Sequence, residues 1–84
     1  MFEKIIAVQP LENYILRATF KDGRVKEFDM KPEIESRAYY SALRDNPELF
    51  SQARPIGLGS AIGWNDEIDM ASEWIWDHGK EIPV

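Results

Sequence analysis

Residues 14–30 read YILRATFKDGRVKEFDM, and this stretch decides the fold. In its first half every second residue is apolar or aromatic, and this period of two predicts a strand. The residues on the shared face are Tyr14, Leu16, Ala18 and Phe20. Lys21-Asp22-Gly23 then supplies a turn, and the chain returns through Phe28 and Met30. We therefore predict a β-hairpin.

The length of the turn follows from which residues would pair across the hairpin. A two-residue loop would place Arg17 opposite Phe28. A three-residue loop, with Gly23 in the left-handed conformation, places Leu16 opposite Phe28 instead. Because a shift of one residue would turn a whole apolar face to solvent, we predict the three-residue loop and a positive φ at Gly23.

Local signals predict further elements on both sides of the hairpin. Ile5-Ile6-Ala7-Val8 is a short strand that Pro10 ends, which makes a three-stranded antiparallel meander. Pro32 suits the first turn of a helical segment, and residues 39–43 carry an apolar stripe at helical spacing. Asn46 followed by Pro47 predicts a second short helical turn with Asn46 as its N-cap.

The last third of the chain predicts two strands and one helix. The strands cover residues 53–58 and 61–64, around a turn at Gly59-Ser60. The helix begins at Ser72 and ends at Gly79. The predicted fold is therefore a single α+β domain over residues 1–84, with a meander, short helical segments, two further strands and a short C-terminal helix.

Composition excludes several classes of protein. Cysteine is absent from the 84 residues, which excludes disulfides, thiol catalysis and cysteine-ligated metals. The longest aliphatic run is four residues, whereas a membrane helix needs about 20 and a signal peptide about 7–15. We expect a cytoplasmic protein without membrane contact and without a cofactor.

Charge is distributed unevenly along the chain. Residues 1–44 carry eight Lys or Arg and seven Asp or Glu, a net charge of +1. Residues 45–84 carry two Lys or Arg and eight Asp or Glu, a net charge of −6. Direct nucleic-acid binding is not expected, because no cluster of basic residues is available for phosphates. The acidic half is either a solvated surface that keeps the protein soluble or a surface that attracts a basic protein.

A series of short motifs runs along most of the chain in a characteristic order. The motifs are Val8-x-Pro10, Tyr14-x-Leu16, Phe20-x-Asp22-Gly23, Phe28-Asp29-Met30, Leu43-x-Asp45, Leu49-Phe50 and Trp64-x-x-x-x-Asp69. From about Ile5 to Trp76 the chain resembles the small bacterial domain of unknown function family 2442. The resemblance implies an α+β domain without an established activity. Some relatives carry an added DNA-binding helix-turn-helix domain, and some lie beside genes for small toxin-like proteins.

The patterns that suggest catalysis or metal binding are incomplete. A calcium loop starting at Asn65 would need Gly where Met70 stands and Glu where Trp76 stands. Gly57-x-Gly59 lacks the third glycine of a dinucleotide loop, and a strand rather than a helix is predicted after it. The single histidine, His78, lies at a helix end where positive charge is favoured. We therefore assign no catalytic, cofactor-binding or metal-binding residue and expect that the protein is not an enzyme.

Aromatic residues are the remaining indication of function. Trp74 and Trp76 are two residues apart, so they cannot share one face of a helix, and we expect one of them to point outward or toward a partner. Exposed Trp and Tyr are typical anchors of protein interfaces. The candidate interface or pocket residues are Tyr39, Tyr40, Trp64, Asp66, Asp69, Trp74 and Trp76.

Two hypotheses of different classes follow. The first is a non-enzymatic protein-interaction module, antitoxin-like or regulatory, that binds a small basic protein. The alternative is a small ligand-binding domain or enzyme with a pocket near Trp64 and Asp69. We also expect a homodimer in contact through Trp74 or Trp76, because five strands cannot close a barrel and leave a free sheet edge.

Overall fold

The computed structural model describes residues 3–83, which form two antiparallel sheets joined by short helices. The larger sheet contains, in spatial order, β1 (Ile5–Leu11), β2 (Ile15–Phe20), β3 (Val25–Asp29) and β7 (Lys80–Ile82). The smaller sheet contains β4 (Arg54–Ile56), β5 (Ala61–Gly63) and β6 (Asp69–Ala71). The helices are α1 (Lys31–Ser36), α2 (Pro47–Phe50) and α3 (Ser72–His78), with a 3₁₀ helix at Ala38–Leu43. The predicted α+β class is confirmed.

The central hairpin has the predicted register. Leu16 lies opposite Phe28, and both side chains are buried. The amide of Phe20 donates to the carbonyl of Arg24 at 2.8 Å, which encloses a loop of three residues. Gly23 has a φ of +96°, as the three-residue loop requires. The apolar face of β2 therefore points into the core.

The helical starts between the sheets also lie where the sequence places them. Pro32 lies in the first turn of α1, where its missing N–H costs no hydrogen bond. Asn46 caps α2, because its side-chain oxygen accepts the N–H of Leu49 at 3.2 Å. The stripe at residues 39–43 forms the 3₁₀ helix, with Tyr40 and Leu43 buried.

The first strand is longer than predicted, because β1 continues through Pro10, opposite Leu16, to Leu11. Pro10 does not end it, since an edge strand tolerates proline.

The second half of the chain also differs from the prediction in its strands. The strand predicted over residues 53–58 is shorter, because Gly57, Leu58 and Gly59 have φ values of 58°, 58° and 89° and form a tight turn. The strands β6 and β7 were not predicted. Each has three residues, which is too short to show a period of two.

The strand β7 extends the meander to four strands. It follows α3 and pairs with β3, with Val25 opposite Ile82. Gly79 ends α3, and its N–H donates to the carbonyl of Ile75 at 2.8 Å. Its φ is −76°, so the glycine does not take the left-handed conformation that often ends a helix. The chain instead passes directly into the strand.

The buried apolar residues form one cluster between the sheets and helices. It takes aromatic residues from both halves of the chain, among them Phe20, Phe50 and Trp64. Ser72 is the buried polar residue, and its hydroxyl donates to the carbonyl of Gly59 at 2.7 Å. This bond ties the start of α3 to the turn between β4 and β5. Among residues 3–83, no helix has the length and apolar character needed to cross a membrane.

Candidate functional site

The loop between β5 and β6 is held by the side chain of Asn65. Its Oδ1 atom accepts the N–H groups of Glu67 and Ile68, both at 2.8 Å. The N–H of Trp64 also donates to the carbonyl of Ile68 at 3.0 Å. Asparagine favours such turns because its side chain reaches its own backbone two or three residues on. Asp66 and Glu67 are consequently exposed on an ordered turn.

Tyr39 attaches the 3₁₀ helix to this loop through its hydroxyl group. The hydroxyl lies 3.0 Å from Oδ1 of Asp69 and 3.0 Å from the carbonyl oxygen of Glu67. It also accepts the N–H of Asp69 at 3.1 Å. The side chain is nonetheless 52% exposed, so a large aromatic surface remains accessible beside two carboxylates.

Tyr40 lies beneath Tyr39 and belongs to the core. Its ring meets Tyr39 and Trp64 edge-on, at centroid distances of 4.9 and 6.3 Å. Its hydroxyl donates to the carbonyl of Asp69 at 3.1 Å. The pKa of the Tyr40 hydroxyl is raised to about 12, mainly by burial and in addition by the nearby Tyr39 and the carboxylates of Glu33 and Asp69. Tyr40 is therefore a neutral hydrogen-bond donor at ordinary pH.

Trp64 is fully buried, so it is a core residue rather than part of an accessible surface. Its ring stacks on Phe50 at a centroid distance of 6.3 Å. Its indole N–H has no hydrogen-bond partner among the described residues. The prediction that the Trp64 ring belongs to an accessible interface or pocket is therefore wrong. The loop that follows Trp64 is exposed, at Asp66.

The two tryptophans of α3 both lie half-buried, against different neighbours. Trp74 stacks on His78 with ring centroids 3.9 Å apart, and the guanidinium of Arg37 lies 5.2 Å from its ring. Trp76 meets Phe20 edge-on at 5.0 Å. Both sides of α3 are packed against other elements, and each ring keeps part of its surface exposed. The expectation that one of them points outward or toward a partner therefore stays a prediction.

A small cavity lies between Trp74 and Tyr40. It has a volume of about 160 Å³ and is lined by Glu33, Arg37, Tyr40, Met70, Ala71 and Trp74. Trp76, by contrast, lies against the larger sheet, where the ammonium of Lys26 is 4.3 Å from its ring centroid. The structure thus brings Tyr39, Tyr40 and Asp69 together, places Trp74 next to them and leaves Trp76 apart.

A second surface pocket, of about 290 Å³, lies beside the exposed ring of Tyr39. Its lining residues are Tyr39, Ser41, Ala42, Asn65, Glu67 and Ile68. Sequence reasoning missed Glu67 and Asn65 as members of this site. The Asn65-Asp66-Glu67 run signals the turn, but no local pattern shows that the turn meets a 3₁₀ helix that ends 22 residues earlier in the chain.

Among residues 3–83, the carboxylates of this region have no ion-pair partners. We call residues 66–77 the acidic segment; its carboxylates are Asp66, Glu67, Asp69, Glu73 and Asp77, and it contains no Lys or Arg. All five side chains belong to exposed residues. The four ion pairs of the described chain join Arg17 to Glu27, Arg24 to Asp22, Lys31 to Asp29 and Arg37 to Glu33. Every acid in these pairs comes from residues 1–44, so the acidic segment keeps its whole negative charge.

Chemically reactive groupings are few in the described residues. The ring of His78 is stacked on Trp74, and its Nδ1 atom lies 3.0 Å from the carbonyl oxygen of Trp74. Within residues 3–83, no three His, Asp or Glu side chains lie close enough together to hold a metal ion. The exposed groups of this region are the carboxylates at residues 66–77 and the ring of Tyr39.

Comparison with known proteins gives a family match and one similar solved structure. Residues 5–81 match the model of the family described as "Protein of unknown function (DUF2442)". No curated protein matches the chain. The fold is similar to the crystal structure of "Putative DNA Binding Protein NE0471" from Nitrosomonas europaea ATCC 19718, with a TM-score of 0.69 and 27% sequence identity. The similarity covers 80% of this chain and 43% of that one, so the chain spans less than half of that protein.

Proposed function

Because the chain belongs to the DUF2442 family, whose function is unknown, we propose from its own surface that it is a non-enzymatic protein-interaction module. It binds a small basic protein through the acidic segment and the exposed ring of Tyr39. The observation that carries this proposal is that all five carboxylates of the acidic segment lack ion-pair partners among residues 3–83. If the partner acts through its own basic surface, binding to the acidic segment covers that surface. The protein would then act as a regulator or in an antitoxin-like role.

The physical basis is electrostatic attraction combined with an aromatic anchor. Unpaired carboxylates of one sign create a field that steers an oppositely charged protein and raises its rate of association. The Tyr39 ring offers a face on which an Arg or Lys side chain can stack. Because Asp69 and Glu67 bind the Tyr39 hydroxyl, the ring is held in place before the partner arrives. A pre-ordered anchor loses little conformational entropy on binding.

The experiment compares two triple variants that remove the same amount of charge. Asp66→Asn/Glu67→Gln/Asp69→Asn neutralises the acidic segment beside Tyr39. Glu12→Gln/Glu48→Gln/Glu81→Gln neutralises three other exposed carboxylates. The immobilised proteins are used for capture from a lysate of the organism of origin, with elution in about 1 M NaCl, where the screening length is about 3 Å.

We expect a basic protein that the wild type and the control variant capture equally. The acidic-segment variant should capture it at least ten-fold less. The pair is then purified and its dissociation constant measured at two salt concentrations, where affinity should fall as salt rises. Equal capture by both variants, or a captured set without any basic protein, would contradict the proposal.

A ligand-binding role is the second candidate, and the pocket of about 290 Å³ beside Tyr39 favours it. This pocket lies at the loop between Trp64 and Asp69 but is lined by Tyr39, Asn65 and Ile68 rather than by Trp64 itself. If this candidate is correct, Ala42→Trp, which fills the pocket, abolishes binding of a small molecule from a metabolite extract. The charge variants above should then have little effect on that binding.

DNA binding is not part of the proposal, although the similar solved structure bears the name of a DNA-binding protein. That name belongs to a chain of which this one matches 43%. The net charge of −5 repels a phosphate backbone, which supports assigning DNA contact to other parts of such proteins. We expect no gel shift of duplex DNA at 0.15 M salt, about the physiological ionic strength. A shift that Arg54→Gln weakens would contradict this expectation.

A further inference from the structure

A cavity of about 460 Å³ lies away from the acidic segment, on the side of α1 that faces the end of the 3₁₀ helix. Its lining residues are Tyr14, Lys31, Ile34, Glu35, Arg44 and Asp45. None of them belongs to the site described above. The volume lies within the range of about 300–1,000 Å³ that is usual for small-molecule sites.

The cavity has two walls that hydrogen bonds hold together. Lys31, Ile34 and Glu35 stand at positions i, i+3 and i+4 of α1, so they share one face of the helix. On the opposite wall, the guanidinium of Arg44 donates to the carbonyl of Ile34 at 3.2 Å. The hydroxyl of Tyr14 accepts the N–H of Asn46 at 3.2 Å. These bonds connect three separate stretches of chain around the opening.

The backbone is strained around this cavity. Four non-glycine residues of the described chain have a positive φ, and two of them, Tyr14 (60°) and Asp45 (55°), line the cavity. A third, Asn13 (62°), precedes Tyr14, and its carbonyl accepts the ammonium of Lys31 at 2.8 Å. Left-handed backbone is rare for an aromatic residue and tends to cluster where a protein binds ligands.

Charges of both signs line the cavity without being paired to each other. Arg44, Glu35 and Asp45 have no ion-pair partner within 4.0 Å among residues 3–83. Lys31 is paired with Asp29, outside the lining, at 3.2 Å. The Arg44 guanidinium has five N–H groups, so donors remain after its bond to Ile34. The cavity is thus lined by one guanidinium and two carboxylates that are free of ion pairs among residues 3–83.

From this arrangement we propose that the cavity binds a small zwitterion of the amino-acid class with an apolar side chain. The ligand carboxylate lies on Arg44, which is suited to bidentate recognition of carboxylates. The ligand ammonium group lies between Glu35 and Asp45. The apolar side chain covers the ring of Tyr14 and the side chain of Ile34. A ligand with both charges completes the pairs that the protein leaves open.

The test is an NMR titration of the ¹⁵N-labelled chain with L-phenylalanine, L-leucine and L-tyrosine. Phenylacetate and phenethylamine, which each keep only one of the two charges, serve as partial probes. We expect at least one amino acid to give saturable shifts at residues 31–35 and 44–45. Each partial probe should bind at least five-fold more weakly than that amino acid.

Two variants show whether the named groups are responsible. Arg44→Gln should raise the dissociation constant of the amino acid at least ten-fold. Glu35→Gln should weaken the binding of the amino acid and leave the binding of phenylacetate unchanged. Arg54→Gln, on an exposed position of β4, is the control and should bind as the wild type does. Urea unfolding of each variant shows that it is folded. No saturable shift with any amino acid, or equal affinity in Arg44→Gln, overturns the proposal, and equal binding of phenylacetate assigns an anion site instead.

Discussion

Two glycines with similar backbone angles differ in what surrounds them. Gly23 and Gly59 have φ values of +96° and +89°. A Cβ at Gly23 would meet nothing within 4 Å, whereas a Cβ at Gly59 would overlap the carbonyl oxygen of Ile5. The pair separates the cost of the backbone angle from the cost of a clash.

We expect Gly23→Ala to lower the free energy of unfolding by about 1–2 kcal/mol, the cost of a left-handed L-residue. Gly59→Ala should lower the free energy of unfolding by about 1–3 kcal/mol more than Gly23→Ala does, because the chain near Ile5 must shift to make room. Urea unfolding of both variants measures the difference. Equal losses would mean that the approach of Gly59 to β1 is looser than the structure has it.

The ionisation of Tyr40 links stability to alkaline pH. Burial raises its pKa from 10.0 in the unfolded chain to about 12 in the folded one, so the folded state holds the proton more tightly. Between these two values the unfolded state binds fewer protons, and stability therefore falls as pH rises. Below pH 10 the contribution of this group is constant.

We expect the free energy of unfolding to decline between pH 10 and pH 12, and the decline to be shallower in Tyr40→Phe. Urea unfolding at steps across this window measures both slopes. The variant also loses the hydrogen bond to Asp69, which lowers its stability at every pH and leaves the comparison of slopes intact. Identical slopes would contradict the raised pKa.

Among the secondary-structure elements, the central hairpin depends on one cross-strand pair. Phe28 is 6% exposed and lies opposite Leu16 in the register of β2 and β3. Phe28→Ala should lower the free energy of unfolding by about 3–5 kcal/mol, as expected for a buried aromatic residue. Lys21→Ala, in the exposed turn, should change it by less than about 0.5 kcal/mol. A loss near zero for Phe28→Ala in denaturant unfolding would contradict the packing of this face.

The helix α3 carries two like charges that repel each other. Glu73 and Asp77 are four residues apart and therefore neighbours on the helix surface, and Asp77 lies in the last turn, where negative charge is unfavourable. Asp77→Lys should raise the free energy of unfolding by about 0.5–1 kcal/mol, because it replaces repulsion with attraction. Thermal and urea unfolding measure this gain.

Asp77→Lys should also weaken the binding of the proposed basic partner, because it reverses one charge of the acidic segment. Glu73→Lys is the matched variant: it makes the same charge change but places a cation in the first turn, where the helix dipole opposes it. It should therefore gain less stability. If Asp77→Lys gains stability and captures the partner as well as the wild type does, α3 lies outside the interface.

At the scale of the whole molecule, both sheets remain open. The larger sheet ends at β1 and β7 and the smaller at β4 and β6. Ile6 and Leu58 are 61% and 90% exposed, so apolar surface accompanies these edges. We keep the proposal of a two-fold dimer, because a second copy would cover free edges and apolar surface together. The half-buried Trp74 and Trp76 contribute their remaining exposed area.

Light scattering at micromolar concentration should give about twice the monomer mass of 9.7 kDa. Trp74→Ala or Trp76→Ala should shift the mass toward the monomer while circular dichroism shows a folded chain. Raised salt should not weaken the association, because apolar contact rather than charge drives it. A monomer mass across the concentration range would remove the dimer.

Features that depend on residues close in the chain were predictable from the sequence. The hairpin register follows from alternation on both sides of Gly23, and the start of α2 follows from Asn46 and Pro47. In each case the deciding interactions join residues no more than 14 positions apart. The acidic character of residues 66–77 is likewise a property of composition, and it survives in the structure because no cation of the described chain comes to pair with it.

The meander, the helical starts and the charge of the second half of the chain are predictable from the amino-acid sequence, because they depend on local backbone preferences and on residue type. Three other features follow from tertiary packing: β7 pairs with β3, Tyr39 binds Asp69, and Trp64 is buried. The first two contacts join residues that are 30 to 57 positions apart, and the third depends on how the whole core closes around one ring. Strands of three residues and single aromatic side chains show no period, so their partners are selected by packing, after the local elements have formed.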